Sequence, residues 1–500
     1  MSSLLIPPSE DVFHHFNATP LDQLLAEHQT ISAEDKVLAL FHRCAKEVPA
    51  YSDFLDKKGI NPAQISSYDE FRKLPLINKS NYMRAYSLPA RCLGGSLRGS
   101  DRVAVSSGST GQPTFWPRSV KYELDVAVRF EQVFRDSFRT HERSTLAIIC
   151  FALGNWVGGI YTTSCCWHLA RKGYPLLVAT PGNNKTEIFR VVREMAPHFE
   201  QTILLGYPPF IKDVIDAGAA EGINWVDFCP KLVFAGEVFS EEWRSLMGQR
   251  IGSVSPCYDS SSLYGTADGG VLGNETPLSI AVRRWLAEHP DAARMLFGES
   301  RLPTLVQYDP YSRFFEVHDG TLVVSGESDV PLVRYHIADK GGLLSFDEMR
   351  RFFKDRGITS FSELGVDEGD MCNLPFVYVF GRADFTISFY GANIYPENVT
   401  VGLEQSDIMQ WVTGKFVLEA RDTDDGDKYL HIAVELLPDI EPDEAKASLI
   451  ATAIRSQLLR LNSEFANYTP AERQLPRITL CSFADAAYFP AGIKHRYTRK

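Results

Sequence analysis

The sequence contains no Cys-x-x-Cys pair. Its nine cysteines are odd in number, include the neighbours Cys165 and Cys166, and lie mostly in apolar stretches. Such thiols point to a reduced compartment, the cytoplasm, and away from a zinc site or a disulfide framework. The histidines, His14-His15 among them, have no metal-ligand spacing either. Basic residues are in deficit: 51 Lys and Arg against 63 Asp and Glu leave a net charge of −12. That excludes a chain built around nucleic acid, although an acidic protein can still hold a local anion site. The opening MSSLLIPPSEDVFHHF lacks a basic segment ahead of an apolar core, so no secretory signal is expected. The sequon Asn398-Val399-Thr400 therefore carries no weight. Internal repeats and low-complexity segments are missing too. Between Ser144 and Ala170 there is no Asp, Glu, Lys or Arg, a run long enough for a membrane span. Gly154-Asn155 and Gly158-Gly159 interrupt it, however. A buried strand, TLAIICFAL, followed by a helix, GGIYTTSCCWHLARKG, accounts for it better. No membrane partner is expected.

What is present reads as a globular enzyme, 44% hydrophobic and 23% charged. Five hundred residues exceed one hydrophobic core, so at least two domains are expected. From Arg102 to about Asp339, apolar runs such as TLAIICF, YPLLVAT, TILLGYP and KLVFAGE alternate with amphipathic stretches. That rhythm predicts βα units around a mostly parallel sheet. GTLVVSGESDVPLVRY reads as an antiparallel hairpin, and the charged stretch Phe346 to Asp370 as a surface insertion. After Arg382 the texture changes to a hairpin (KFVLEARDTDDGDKYLHIAVELL), an amphipathic helix beginning near Glu441 and a strand, RITLCSF. The fold class predicted is α/β: a large N-terminal domain, residues 1–382, with mixed or parallel sheets flanked by helices, and a small α+β domain, residues 383–500, on a hinge.

The stretch VSSGSTGQPT, Val105 to Thr114, sets two glycines among hydroxyl side chains directly after the apolar Val103-Ala104-Val105. Small residues let backbone N–H groups curl around phosphate oxygens, and hydroxyls add donors. A serine-rich surface turn is the other reading. The Gly-Lys-Ser/Thr ending of a Walker loop is missing. Four further stretches follow: Ser262 to Asp268 (SLYGTAD), Val330 to Asp339 (VPLVRYHIAD), Gly381 to Pro396 (GRADFTISFYGANIYP) and Ala491 to Tyr497 (AGIKHRY).

In this order they resemble the adenylate-forming superfamily, specifically its phenylacetate–CoA ligase-like branch. YSDFLDKKGINPAQISSYDEFRKLPLINKSNY and GNWVGGIYT are similar to two further segments of that branch, and the resemblance runs from about Tyr51 to Arg496. It implies that an acid is activated as acyl-AMP from ATP, with Mg²⁺, and then passed to a thiol, either coenzyme A or a carrier protein. Ser106, Ser107, Gly108, Ser109, Thr110 and Gly111 would hold the pyrophosphate end. Gly236-Glu237 would flank adenine, and Tyr264 would stack on it, with Gly265 and Thr266 close by. Asp339 and Arg382 would take the ribose, Asp268 the metal, Asp384 the hinge and Lys494 the catalytic lysine. Trp156, Gly158, Tyr161, Phe234 and Tyr258 would line the pocket of an aromatic or arylalkyl acid. Ala267, Asp268, His336 and Gln112-Pro113-Thr114 depart from the branch's pattern, and all bear on ATP handling. A nitrogen nucleophile as acceptor, or a non-catalytic nucleotide-binding protein, stays open as an alternative. A homodimer is also left open.

Overall fold

The computed structural model describes residues 9–105, 114–299, 302–382, 387–390, 392–422, 428–462, 465–466, 469–490, 495 and 497–499. Their central feature is one eleven-stranded sheet. Its parallel half is made by Ser260–Thr266, Pro230–Ala235, Gln201–Gly206, Thr145–Ile149 and Leu176–Ala179, adjacent in that order. Strands buried on both faces need unbroken apolar runs rather than alternation. Thr145–Ile149 and Gln201–Gly206 are buried at every position. The uncharged stretch around them is thus a strand, with the helix Val157–Lys172 after it. Period-two alternation then sends neighbouring side chains to opposite faces. Val233 joins Ala147, Ile149, Leu205 and Tyr161 on one face, while Phe234 joins Ile148, Leu204, Phe239 and Trp243 on the other.

The antiparallel half runs Phe314–His318, Thr321–Gly326, Leu332–Leu344, Phe376–Arg382, Thr304–Gln307 and Gly270–Asn274, which pairs with Ser260–Thr266. The expected hairpin is Thr321–Gly326 against Leu332–Leu344. Leu332–Leu344 is irregular: its register shifts twice against one neighbour and once against the other. Arg334 and Ala338 adopt positive φ values of 48° and 66°.

The stretch from Phe346 to Asp370 is not a surface insertion. Its helix Phe346–Lys354 puts Met349 and Phe353 into an apolar cluster with Leu278, Leu286, Phe361 and Phe376. Charges on the outer face of an amphipathic helix make such a segment look polar in composition.

Beyond Arg382, a second sheet orders Arg477–Cys481, Lys428–Leu436, Val412–Asp422 and Thr498–Arg499. The helices Pro396–Leu403 and Glu444–Leu461 pack with it. Its core draws on residues from Ile387 to Phe465, such as Phe389, Phe416, Ile432 and Ile454. Among the described residues no helix is long and apolar enough to cross a membrane.

Candidate active site

In a parallel sheet the ligand crevice lies past the carboxyl ends of the strands. Four chain segments leave this edge together: Phe151 to Trp156 after Thr145–Ile149, Tyr207 after Gln201–Gly206, Gly236-Glu237 after Pro230–Ala235, and Ala267-Asp268 after Ser260–Thr266. The strand Arg102–Val105, which leads into the hydroxyl-rich loop, joins them. The Val105 N–H donates to the Asn155 carbonyl at 2.8 Å, and Val105 bridges to Trp156. The loop residues Ser106, Ser107, Gly108, Ser109, Thr110 and Gly111 lie outside the described residues, as do Asp384 and Lys494.

The nucleotide-binding expectations converge at this edge. Asp339, 8% exposed, accepts a 2.7 Å hydrogen bond from the Tyr264 hydroxyl, 75 residues away in sequence. Arg382 sits directly across the antiparallel ladder from Asp339. The Tyr264 ring stacks at 6.5 Å on Phe315, and Gly265 next to it is exposed. Gly236 has φ +86°, a conformation that favours glycine, and turns the chain out of its strand. Glu237, which follows, accepts a hydrogen bond from the Tyr497 hydroxyl. That bond brings the C-terminal segment against the segment expected to flank adenine. His495, next to Lys494, is tied by its ring to the Phe416 carbonyl at 2.6 Å, and burial lowers its pKa to about 4.

The turn that follows Tyr264 is held from several sides. Thr266 Oγ1 accepts from the Gly269 N–H at 2.9 Å, so that hydroxyl ties the turn. Arg118, 4% exposed, donates to the Ala267 carbonyl at 2.6 Å and lies 5.7 Å above the Tyr161 ring. Asp268 is buried. One carboxylate oxygen, Oδ2, accepts from the Tyr335 hydroxyl and lies 3.4 Å from the Lys79 ammonium. Among the described residues its other oxygen, Oδ1, is buried without a hydrogen-bond partner. A hard carboxylate oxygen without such a partner, on a side chain fixed by its second oxygen, fits the chemistry of Mg²⁺, which needs one or two carboxylates and takes its other ligands from phosphates and water. His336 turns away from the crevice and pairs with Thr321 Oγ1 at 2.8 Å.

The pocket expectations divide. Trp156, 42% exposed, Gly158 and the buried Tyr161 stand at the carboxyl edge. Gly159 lets the helix start there: a Cβ at this position would lie 2.2 Å from the Ala152 carbonyl oxygen. Phe234 does not line the crevice. It is fully buried on the other face, 5.1 Å from Phe239 and 5.2 Å from Trp243. Alternation dictates this, because Ala235, not Phe234, shares a face with Tyr161. Tyr258 is also misplaced. It precedes the strand Ser260–Thr266 at its amino end, whereas Tyr264 lies near the carboxyl end, and the Tyr258 hydroxyl accepts from the Asp367 N–H. Tyr207, Arg118 and Lys79 were missed as site residues. Tyr207, like Trp156, follows the carboxyl end of a parallel strand, whereas Arg118 in FWPRS carries no motif signal.

No family model matches the chain. It is 21% identical over 370 residues to the phenylacetate-coenzyme A ligase of Aromatoleum evansii, covering 71% of this chain and 70% of that one. Among solved structures it resembles 2-hydroxyisobutyryl-CoA ligase in the postadenylation state with 2-HIB-AMP, at a TM-score of 0.64 and 14% identity, covering 100% of this chain and 94% of that one. Against the same ligase with 2-HIB-AMP and CoA in the thioesterification state, the TM-score is 0.53 at 14% identity, with the same coverage. The fold is that of the adenylate-forming enzymes. In sequence the chain is similar to a phenylacetate-coenzyme A ligase, and it shares the fold of 2-hydroxyisobutyryl-CoA ligase.

Proposed function

We propose that the protein is an AMP-forming acid–CoA ligase that works in the cytoplasm. The observation that supports this most is the meeting of Tyr264 and Asp339 at the carboxyl edge of the sheet, with Arg382 across the ladder and Asp268 on the next turn. These positions come from separate stretches of chain, and together they suit a ribose and a phosphate chain. Two carboxylate oxygens on Asp339 match two ribose hydroxyls. Residues 1–382 would form the activating core, and residues 383–500 a lid that turns about Asp384.

The acid's carboxylate and ATP repel each other, so the site must supply positive charge and hold an in-line approach. The hydroxyl-rich loop would take the pyrophosphate end. Lys494 would stand between the carboxylate and the α-phosphate, where a preorganised cation lowers the barrier by roughly 3–4 kcal/mol. Asp268 Oδ1 would hold Mg²⁺, whose charge offsets that of the phosphates. The carboxylate oxygen bonds to the α-phosphorus and pyrophosphate leaves. The thiol of coenzyme A then bonds to the acyl carbon, AMP leaves, and the thiol proton is released. The acid class we favour is aryl or arylalkyl, with Trp156, Gly158 and Tyr161 against its body.

The test is ATP–pyrophosphate exchange across a panel of acids, followed by mass spectrometry of the product with coenzyme A or a carrier protein. Acid-dependent exchange with a CoA thioester is expected. Exchange that yields an amide but no thioester, or ATP binding with no exchange for any acid, would contradict the proposal.

A further inference from the structure

The ring of Tyr207 occupies the space between Gly236 and Gly158, on two segments of the candidate site. A Cβ added at Gly236 would come within 2.7 Å of its Cε1. A Cβ added at Gly158 would stand 3.3 Å from its hydroxyl oxygen. The ring therefore lies flush on the strand end that leads to Glu237 and reaches across to the start of the helix Val157–Lys172. Phe151 braces it edge-on, with centroids 4.9 Å apart and planes at 89°. Tyr207 is half-buried and shares its face of the sheet with Val157, Ala235 and Tyr161. Glycine on both sides leaves a gap of one side chain, and a phenol fills it. Pro208, directly after it, opens the next helix and fixes the direction in which the chain leaves.

We propose that Tyr207 is the end wall of the acid pocket and restricts the protein to compact acids. This rests on the ligase reading above. The body of an acid seated between Trp156, Gly158 and Tyr161 meets the phenol ring before it can extend past Gly236. Removing the ring opens space of about one aromatic ring, bounded by Phe151, Gly158, Ala235 and Gly236. A hydrophobic pocket discriminates about 10- to 200-fold per methylene, so the change is measurable as substrate preference.

The probes are benzoate, phenylacetate, 3-phenylpropanoate and 4-phenylbutanoate in ATP–pyrophosphate exchange. The unmodified protein is expected to favour the shorter acids. Tyr207→Ala should raise kcat/KM for 4-phenylbutanoate relative to benzoate by about tenfold or more, and Tyr207→Phe should keep the original order. Tyr207→Leu, which leaves a smaller apolar plug, should fall between them and serves if the alanine variant does not fold. An unchanged order of acids in a folded, exchanging Tyr207→Ala or Tyr207→Leu variant would overturn the proposal and leave the ligase reading standing. No exchange with any acid in the unmodified protein would overturn both.

Discussion

Tyr264 and Asp339 join two halves of the site through one hydrogen bond. A hydrogen bond to a charged group contributes about 1.5–3 kcal/mol. Tyr264→Phe should therefore raise KM for ATP about tenfold with a much smaller change in kcat, read in steady-state exchange. An unchanged KM would remove Tyr264 from the nucleotide site. Asp268→Asn keeps a partner for Tyr335 but takes away the negative charge beside Lys79. Exchange by that variant should need a several-fold higher Mg²⁺ concentration for half-maximal rate. Ala338 holds a positive φ of 66° directly before Asp339, a left-handed conformation that costs a residue with a Cβ about 1–2 kcal/mol. Ala338→Gly should stabilise the protein by about 1 kcal/mol in denaturant unfolding. Lys494→Ala should lower exchange about 10³-fold while leaving consumption of a supplied acyl-adenylate largely intact; equal loss in both reactions would give Lys494 a different role.

At the scale of elements, the helix Pro396–Leu403 ends at Glu404, whose carboxyl is hydrogen-bonded by the hydroxyl of Ser240, the residue that caps the helix Glu241–Ile251. Burial raises the Glu404 pKa to about 8, with Glu242 pushing the same way and Arg283 opposing. The folded state therefore binds this proton more tightly than an exposed glutamate, whose pKa is near 4.5. Contact between the two helices is fully favoured below about pH 4.5 and weakens as pH rises towards about 8, where the carboxyl ionises in place. Glu404→Gln should flatten that part of the stability–pH curve; an unchanged slope between pH 5 and 8 would place the proton elsewhere. The strands of the parallel half were legible in the sequence because double burial demands unbroken apolar runs, as in Thr145–Ile149. The face each residue takes was less legible. Phe234 and Ala235 are neighbours in sequence, and only strand register tells which of them meets Tyr161. Tyr258 lies near the motif in sequence but at the other end of its strand. The helix Phe346–Lys354 was hidden because four residues, Phe346, Met349, Phe352 and Phe353, carry its apolar side among charges.

At the scale of the molecule, the candidate positions that motif order gave, Gly236, Tyr264, Asp268, Asp339 and Arg382, are scattered along the chain, yet one sheet gathers them. What motif order could not supply were the side chains that hold these residues. Arg118 on the Ala267 carbonyl comes from a stretch without a local signature, and Lys79 beside Asp268 lies in RKLPLINKSNY, where the resemblance gave it no role. The C-terminal segment meets the core through Tyr497 and Glu237, so the account has the nucleotide enclosed by both parts of the chain. The most direct measurement is a crystal structure with bound ATP. The account predicts both ribose hydroxyls within hydrogen-bonding distance of the Asp339 carboxylate and the phosphates against residues 106–111. Nucleotide bound away from Asp339 and that loop would contradict it.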